Sequence, residues 1–482
     1  MSSPHHVPGS RHVLVVGGGV AGLSTALLLA RDGHRVTVLE RDRGYPPDPL
    51  AAWTAWERHG CAQFRLPHYF LARVRQVLEA ELPDIVAGLA ASGAVRYNPV
   101  AALPATISGG LRDEDDRFES ITARRPVVEA VLGGAAAEEP GVEVRRGAVV
   151  RGLLTGPSDV PGVPDLTGVV IEGGEEMRAD LVIDAGGRRS SMPALLTAAG
   201  ARPPVEQRED GGFAYYSRHF RGTGGFPPLI GSLQDYYNSV SILTLPGDNG
   251  SWSLTFSTGS RDRELRALRD PQRWMAAIRH YPVVADWVDA EPISGIMVMG
   301  GIDDRIRYDV VDGLPVATGL LAVGDAWACL NPSLGRGVPM ALLHALLLRD
   351  VLRTGSGDRP GELSLRWAEA TAEVLEPWYR TTVESDRWRI AEMAADRRGE
   401  RYAPDDENWR LNKALMTGIG RDPEVLRTVM EIVSVFTLPS EVLARPGVAD
   451  RALASGDGMP QYPHPGPDRD ELLAAVGSAM AA

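Results

Sequence analysis

Val13-Leu-Val-Val-Gly17-Gly18-Gly19-Val20-Ala21-Gly22 joins a continuous apolar run to a glycine-rich turn and then to a helix-forming stretch, Leu23 to Leu29. The apolar run has the pattern of a parallel strand buried on both faces. Gly17 suits a tight strand-to-helix turn, Gly19 lets backbone approach a pyrophosphate, and Gly22 allows close helix–strand packing. Phosphates would sit at the helix N-terminus, where free N–H groups and the helix dipole favour anions. Asp32-Gly33 ends the helix, and Val36-Thr-Val-Leu-Glu40 supplies a second strand with a carboxylate at its tip. That carboxylate would accept hydrogen bonds from ribose hydroxyls and repel a 2′-phosphate. The spacing therefore predicts a dinucleotide-binding βαβ unit, with Gly17, Gly19, Ala21, Gly22, Glu40 and Arg41 as candidate cofactor-binding residues.

Two later segments repeat the theme. Leu181-Val-Ile-Asp184-Ala-Gly186-Gly187 and Leu321-Ala-Val-Gly324-Asp325 each end an apolar strand in a glycine turn. The second runs on into Asn331-Pro332-Ser-Leu-Gly335-Arg-Gly337 and an apolar helix, Val338 to Leu352. One glycine loop is weak information. Three segments in this order fit three contacts of one extended ligand.

Composition bounds the rest. A chain of 482 residues exceeds one hydrophobic core and predicts two or three domains. A formal net charge of -13 argues against nucleic acid and anionic membrane surfaces as partners. Cys61 and Cys329 are the only cysteines. They are too few for a disulfide framework or a zinc site, so no metal is expected and a reducing cytoplasm is the expected compartment. The N-terminus lacks a charged region followed by an apolar core, and no stretch of about 18 apolar residues occurs, so neither an export signal nor a membrane span is expected. Lys413 is the only lysine.

Along the chain, residues 68–90 have the spacing of one amphipathic helix and 126–139 that of another. Short strand-like runs dominate 211–300, including Phe213 to Phe220, Val240 to Leu245 and Trp252 to Ser257, which predicts an antiparallel sheet. From 362 the pattern is helical. From about 445 the chain is rich in Pro, Gly and Asp, the composition of a poorly ordered tail.

On these motifs the chain, over roughly residues 11–355, resembles flavoprotein monooxygenases with the p-hydroxybenzoate hydroxylase fold. Arg58-His-Gly60-Cys-Ala-Gln63-Phe-Arg65-Leu-Pro-His68 further resembles a segment of bacterial polyene epoxidases, and Gly186, where the family usually has Asp, resembles the polyether and styrene-type epoxidases. The resemblance implies an α/β (α+β overall) fold. A Rossmann-like, GR2-type FAD-binding domain would be built from 11–80, 115–195 and 300–355. An antiparallel-sheet substrate domain would take 81–114 and 196–299, and a helical C-terminal region 356–482. It implies FAD as cofactor, with Gln63, Arg125 (or Arg124), Val150, Asp184, Gly187, Gly324, Asp325, Gly335 and Gly337 added to its contacts. Catalytic candidates are Pro332, Gly335, Trp327, His68 and Tyr216. Tyr215, Trp56 and His219 are further candidates for the substrate wall, with strand alternation allowing only one of Tyr215 and Tyr216 to face a pocket.

The implied activity is insertion of one atom of O2 into a small organic substrate, aromatic or polyene, through a flavin C4a-hydroperoxide, as hydroxylation or epoxidation in secondary metabolism. NAD(P)H would supply electrons, directly or through a flavin reductase. The rivals are a reductase of the geranylgeranyl reductase type and a flavin-dependent halogenase. The latter needs a lysine between flavin and substrate, and Lys413 falls outside the flavin-binding part. A dinucleotide-fold carrier without turnover is the non-enzymatic alternative.

Overall fold

The structure is a computed structural model describing residues 10–223, 226–227, 232–355 and 359–478. The first nine residues, on which the expectation about an export signal rests, lie outside that range, as do the last four.

The glycine-rich segment folds as read. His12–Val16 (β1) leads into Val20–Arg31 (α1) and Arg35–Glu40 (β2). With Val142–Arg146 (β3), Leu181–Asp184 (β4) and Leu320–Ala322 (β5) they form a parallel sheet in the order β5-β4-β1-β2-β3. Val13, Leu14 and Val15 are fully buried, as a strand covered on both faces requires, each side chain contributing about 1.5–3 kcal/mol. One face carries α1, Arg125–Glu138 (α2) and Gly337–Thr354 (α3). The other face carries a three-stranded antiparallel sheet, Val150–Gly156, Asp165–Ile171 and Glu176–Arg178.

The helix expected over 68–90 is two helices, Ala72–Glu81 and Pro83–Ala91. Proline lacks the N–H that a helix interior needs but suits a first turn, so Pro83 ends one helix and starts the next. Pro83–Ala91 packs against α2 in the core shared with α1.

The antiparallel sheet lies where the strand-like runs predict it. Phe213–Arg221 pairs with Ser251–Gly259, which pairs with Val240–Pro246 and then Gln234–Tyr236. Behind it, Phe220, Phe256, Trp274 and Tyr281 form a core that is almost wholly dry. The helices Glu376–Asp396 (α4), Glu407–Gly418 (α5) and Pro423–Val433 (α6) cover the open side between the two sheets. The stretch from 445 is not a loose tail. It contains helices Val448–Gly456 and Arg469–Ser478, and Leu472 and Val476 of the latter are buried in the core behind the antiparallel sheet. Composition misleads there because a short apolar run, Leu472 to Val476, stands amid many polar residues and finds its partners only in the core behind the sheet.

Candidate active site

The end of β1 is shaped by contacts that exclude side chains. Gly17 has φ +116°, and a Cβ on it would lie 2.3 Å from the carbonyl oxygen of Ala185. A Cβ on Gly22 would lie 1.9 Å from the carbonyl oxygen of Gly17. These two glycines draw α1, β1 and the turn after β4 together. Gly19, Gly187 and Gly337 are different. They line a cavity, and apart from their own neighbours along the chain no atom lies within 4 Å of where a Cβ would stand. They leave a bare backbone cradle that a ligand can approach closely.

Glu40, at the tip of β2, is 3% exposed. Its carboxylate accepts from the Gly18 N–H (2.8 Å) and the Asp42 N–H (2.8 Å). Arg58 reaches in beside it and pairs with Glu40, Glu129 and Asp42. Glu129 in turn accepts from Arg125 Nε (2.6 Å). Burial pushes the Glu129 carboxyl up, but the charges of Arg125 and Arg58 outweigh it and hold the group below the ordinary glutamate range.

Arg125 faces the cavity, whereas Arg124 is fixed away from it by two side-chain hydrogen bonds and a backbone hydrogen bond to Asp248. The Arg125 NH1 group meets His68 Nε2 at 3.3 Å, and the other ring nitrogen, Nδ1, lies 2.8 Å from the Leu66 carbonyl. A carbonyl only accepts, so Nδ1 carries the proton and Nε2 accepts from Arg125. Burial and then the Arg125 charge lower the His68 pKa to about 3, so the ring stays neutral. Glu40, Arg58, Glu129, Arg125 and His68 thus form one chain of contacts along the cavity wall.

Asp325 lines the same cavity, and burial raises its carboxyl above the ordinary value against the pull of Arg125, Arg305 and Arg188. Beyond it the loop Pro332–Gly335 runs past the cavity into α3. Asn331 anchors this loop from behind. Its N–H donates to Asp304 (2.6 Å), its side-chain oxygen accepts from the Tyr215 hydroxyl (2.7 Å), and its side-chain nitrogen donates to Asp386 on α4 (3.0 Å). The Ser333 hydroxyl donates to the other Asp386 oxygen (2.5 Å).

Of the residues singled out by sequence, Gly17, Gly19, Ala21, Glu40, Arg41, Gln63, His68, Arg125, Val150, Gly187, Asp325, Pro332, Gly335 and Gly337 line this one cavity, of about 1460 Å³. Gly22, Asp184 and Gly324 do not. Asp184 instead shapes the turn after β4, accepting from the Gly186 N–H (2.9 Å) and the Ser190 hydroxyl (2.6 Å).

Two catalytic candidates are corrected. Tyr216 points into the core behind the sheet, because alternation along Phe213–Arg221 gives the cavity to Phe213, Tyr215 and Ser217. Trp327 packs edge-on against His344 in a core under α3, because the short helical turn at Gly324–Ala326 swings it inward. Trp56 and His219 are also off the cavity, packed on Phe64 and Trp53 respectively. Lys413, which falls outside the flavin-binding part of the sequence, lines the cavity and pairs with Glu392 (2.7 Å).

Sequence reasoning missed the contribution of α4. Thr382, Asp386, Arg389 and Met393 fall at i, i+4, i+7 and i+11, one helical face, and all are buried. Polar residues on a face that the neighbouring Trp378, Tyr379 and Val383 mark as inward were the available signal.

A family described as "FAD dependent oxidoreductase" matches residues 12–47, the first βαβ unit. The chain is 29% identical over 396 residues to Protein Rv3254 of Mycobacterium tuberculosis (strain ATCC 25618 / H37Rv), covering 76% of this chain and 78% of that one. It is 27% identical over 394 residues to 6-methylpretetramide 4-monooxygenase of Streptomyces rimosus, covering 76% and 80%. Chloroplastic zeaxanthin epoxidase of Solanum lycopersicum is 24% identical over 351 residues, 68% of this chain and 46% of that protein, so the chain spans about half the length of that relative. Among solved structures, the fold is shared with PqsL of Pseudomonas aeruginosa, solved with 2-aminobenzoylacetate (TM-score 0.58, 19% identity, 80% and 96% covered), and with the flavin-dependent halogenase CmlS (TM-score 0.61, 17% identity, 88% and 76% covered). Among the described residues no helix is long and apolar enough to cross a membrane, and no cluster of side chains could hold a metal ion. With a bare glycine cradle, a buried carboxylate at the tip of β2 and these relatives together, the chain is an FAD-dependent oxidoreductase with monooxygenases among its relatives.

Proposed function

We propose that this protein is an FAD-dependent monooxygenase that adds one oxygen atom from O2 to a bulky, largely apolar, unsaturated substrate, by hydroxylation or epoxidation. The observation that carries this reading is the single cavity running from the glycine cradle to a chamber between the antiparallel sheet and α4–α6. Its volume of about 1460 Å³ exceeds the ~300–1,000 Å³ of a single small-molecule site. It leaves room for a dinucleotide and a second molecule together.

The residues fit the cofactor. Glu40 would hold the adenosine ribose, Gly19 and the start of α1 the pyrophosphate, Arg125 and Asp325 the middle of the molecule, and Pro332–Gly337 the ring system. Bound FAD, once reduced, supplies the activation of dioxygen. The protein supplies position and dryness. The cavity lining includes the apolar residues Leu103, Ile107, Phe118, Met416, Leu426 and Met430, which favours a large unsaturated substrate. Electrons come from NAD(P)H, directly or through a separate flavin reductase.

Isotope incorporation tests the reading. FAD-loaded protein is reduced with light and mixed with isotopically heavy dioxygen and a panel of multi-ring phenols and conjugated polyenes. Heavy oxygen in one product supports monooxygenation. Reduction of a substrate double bond without oxygen uptake would replace it with the reductase reading. A second reading, halogenation, is favoured by the position of Lys413 on the cavity wall. It predicts a product that forms only when chloride or bromide is present. Rapid flavin bleaching on anaerobic mixing with NADPH alone would remove the need for a reductase partner.

A further inference from the structure

We propose that Arg336 and Asp386 form a recognition site for an acidic hydroxyl of the substrate, a phenol or an enol, in which Asp386 takes the hydroxyl proton and Arg336 holds the oxyanion that remains. This rests on the monooxygenase reading and narrows its substrate class.

Both residues line the cavity beside the Pro332–Gly335 loop, Arg336 at the foot of α3 and Asp386 on α4. Arg336 is 4% exposed. Its guanidinium offers five N–H donors. Among the described residues only the Thr382 hydroxyl accepts from it (2.8 Å), its buried Nε has no partner, and no carboxylate pairs with it. The face of Trp378 lies 5.1 Å away and gives a weaker cation–π contact. A buried cation with no carboxylate in direct contact is costly, and an anionic ligand group would relieve that cost.

Asp386 is placed with equal care. Ser333 and Asn331 each occupy one of its oxygens, and the Tyr215 hydroxyl and Asp304 fix Asn331 in turn. A carboxylate has about four acceptor sites, so each oxygen keeps a lone pair for a ligand. The groups facing it are Asp304 from the strand Asp303–Tyr308, Tyr215 and Tyr236 from the antiparallel sheet and Arg336 from the loop, while Arg389 on α4 lies over the Tyr236 ring. Burial above all, with Asp304 adding, raises the Asp386 carboxyl to about 8, against Ser333, Asn331 and Arg336. A base works best when its pKa is close to the working pH. Burial lowers Arg336 to about 10, which leaves it charged near neutrality.

In the step, the substrate O–H bond breaks, its electron pair stays on oxygen, and the proton bonds to a carboxylate oxygen of Asp386. The pair Asp386⁻ and Arg336⁺ becomes a neutral acid beside an Arg336–oxyanion pair, so net charge in the cavity is unchanged. An electron-rich oxyanion ring accepts an electrophilic oxygen atom more readily than the phenol does. An isolated alkene would need neither residue.

The probe is 1-hydroxyanthraquinone, a three-ring phenol whose visible band moves on ionisation, with anthraquinone, which has no hydroxyl, as control. FAD-loaded wild-type protein is titrated into each at about pH 9, above the value at which Asp386 gives up its proton and below that at which the free phenol ionises. The expected result is the ionised band on binding to wild type. Asp386→Asn and Arg336→Gln should abolish that band and weaken 1-hydroxyanthraquinone about tenfold, the worth of one charge-assisted hydrogen bond, while anthraquinone binds all three proteins equally. Arg336→Lys should keep part of the band. FAD content and circular dichroism show that each variant is folded. No ionised band with wild type, or an equal loss for anthraquinone, overturns the assignment. Neither result touches the isotope experiment, which judges the monooxygenase reading separately.

Discussion

Replacing Arg58 by methionine should destabilise this protein at neutral pH by several kcal/mol, about the cost of breaking a buried ion pair. The Arg58 side chain is 4% exposed and serves four acceptors: Glu40, Glu129, Asp42 and the Gly18 carbonyl (3.0 Å). Removing one partner of a buried ion pair typically costs about 3–5 kcal/mol, because the other charge is left without compensation. Arg125 still neutralises Glu129, and Glu40 keeps the Gly18 N–H, so the lower end, about 3 kcal/mol, is expected. Urea denaturation of the FAD-free protein measures this, and flavin fluorescence titration measures the accompanying loss of FAD affinity. The pH dependence has a definite sign. In wild type Glu129 is held low, so its contribution is present above the ordinary glutamate pKa and is lost only as pH falls through the lower folded value. In the variant Glu129 loses one of its two cations and protonates more easily, so the gap between the proteins narrows below about pH 5. The double variant Arg58→Met/Glu129→Gln should recover at least half of the loss. A gap under about 1 kcal/mol at pH 7, or one that Glu129→Gln leaves unchanged, would refute the claim that this network bears on stability.

Two further contrasts follow from neighbouring positions. Gly22→Ala should prevent stable folding, because its Cβ would stand 1.9 Å from a backbone oxygen, whereas Gly19→Ala should fold normally and lose FAD affinity about tenfold or more, since its Cβ projects into the open cradle. Equal FAD content in the two purified proteins would contradict this. Tyr215→Phe should cost about 1–3 kcal/mol by orphaning the buried Asn331 oxygen, while Tyr216→Phe should stay within about 0.5 kcal/mol. Equal thermal shifts for the two would sink the assignment of faces.

The dinucleotide crevice was legible in the sequence because its parts are local. A tight turn, a close approach and a strand tip each demand a residue type within a few positions of the strand that carries it, as Gly17, Gly22 and Glu40 do. The chamber was not legible, because its wall is assembled from segments that meet only in three dimensions. Tyr215 meets Asn331 across 116 residues, and Asn331 meets Asp386 across 55. Tyr216 and Trp327 were misplaced for a related reason. Alternation says that Tyr215 and Tyr216 face opposite ways but not which face is covered, and proximity of Trp327 to Asp325 along the chain says nothing of direction after a helical turn. Pro83 was visible all along as a helix breaker, and the even apolar spacing around it hid the break.

The helix Arg469–Ser478 gives the protein an order of assembly. Arg469 pairs with Asp262 and Glu264, and Leu472 and Val476 fill a core whose other walls were synthesised some two hundred residues earlier. Pro463 and His464, just before it, already face the chamber. A nascent chain can therefore complete its nucleotide crevice while the core behind the antiparallel sheet still lacks the wall that Arg469–Ser478 supplies. Cutting the chain just before Arg469 would leave the crevice in place and bare the apolar wall behind the antiparallel sheet.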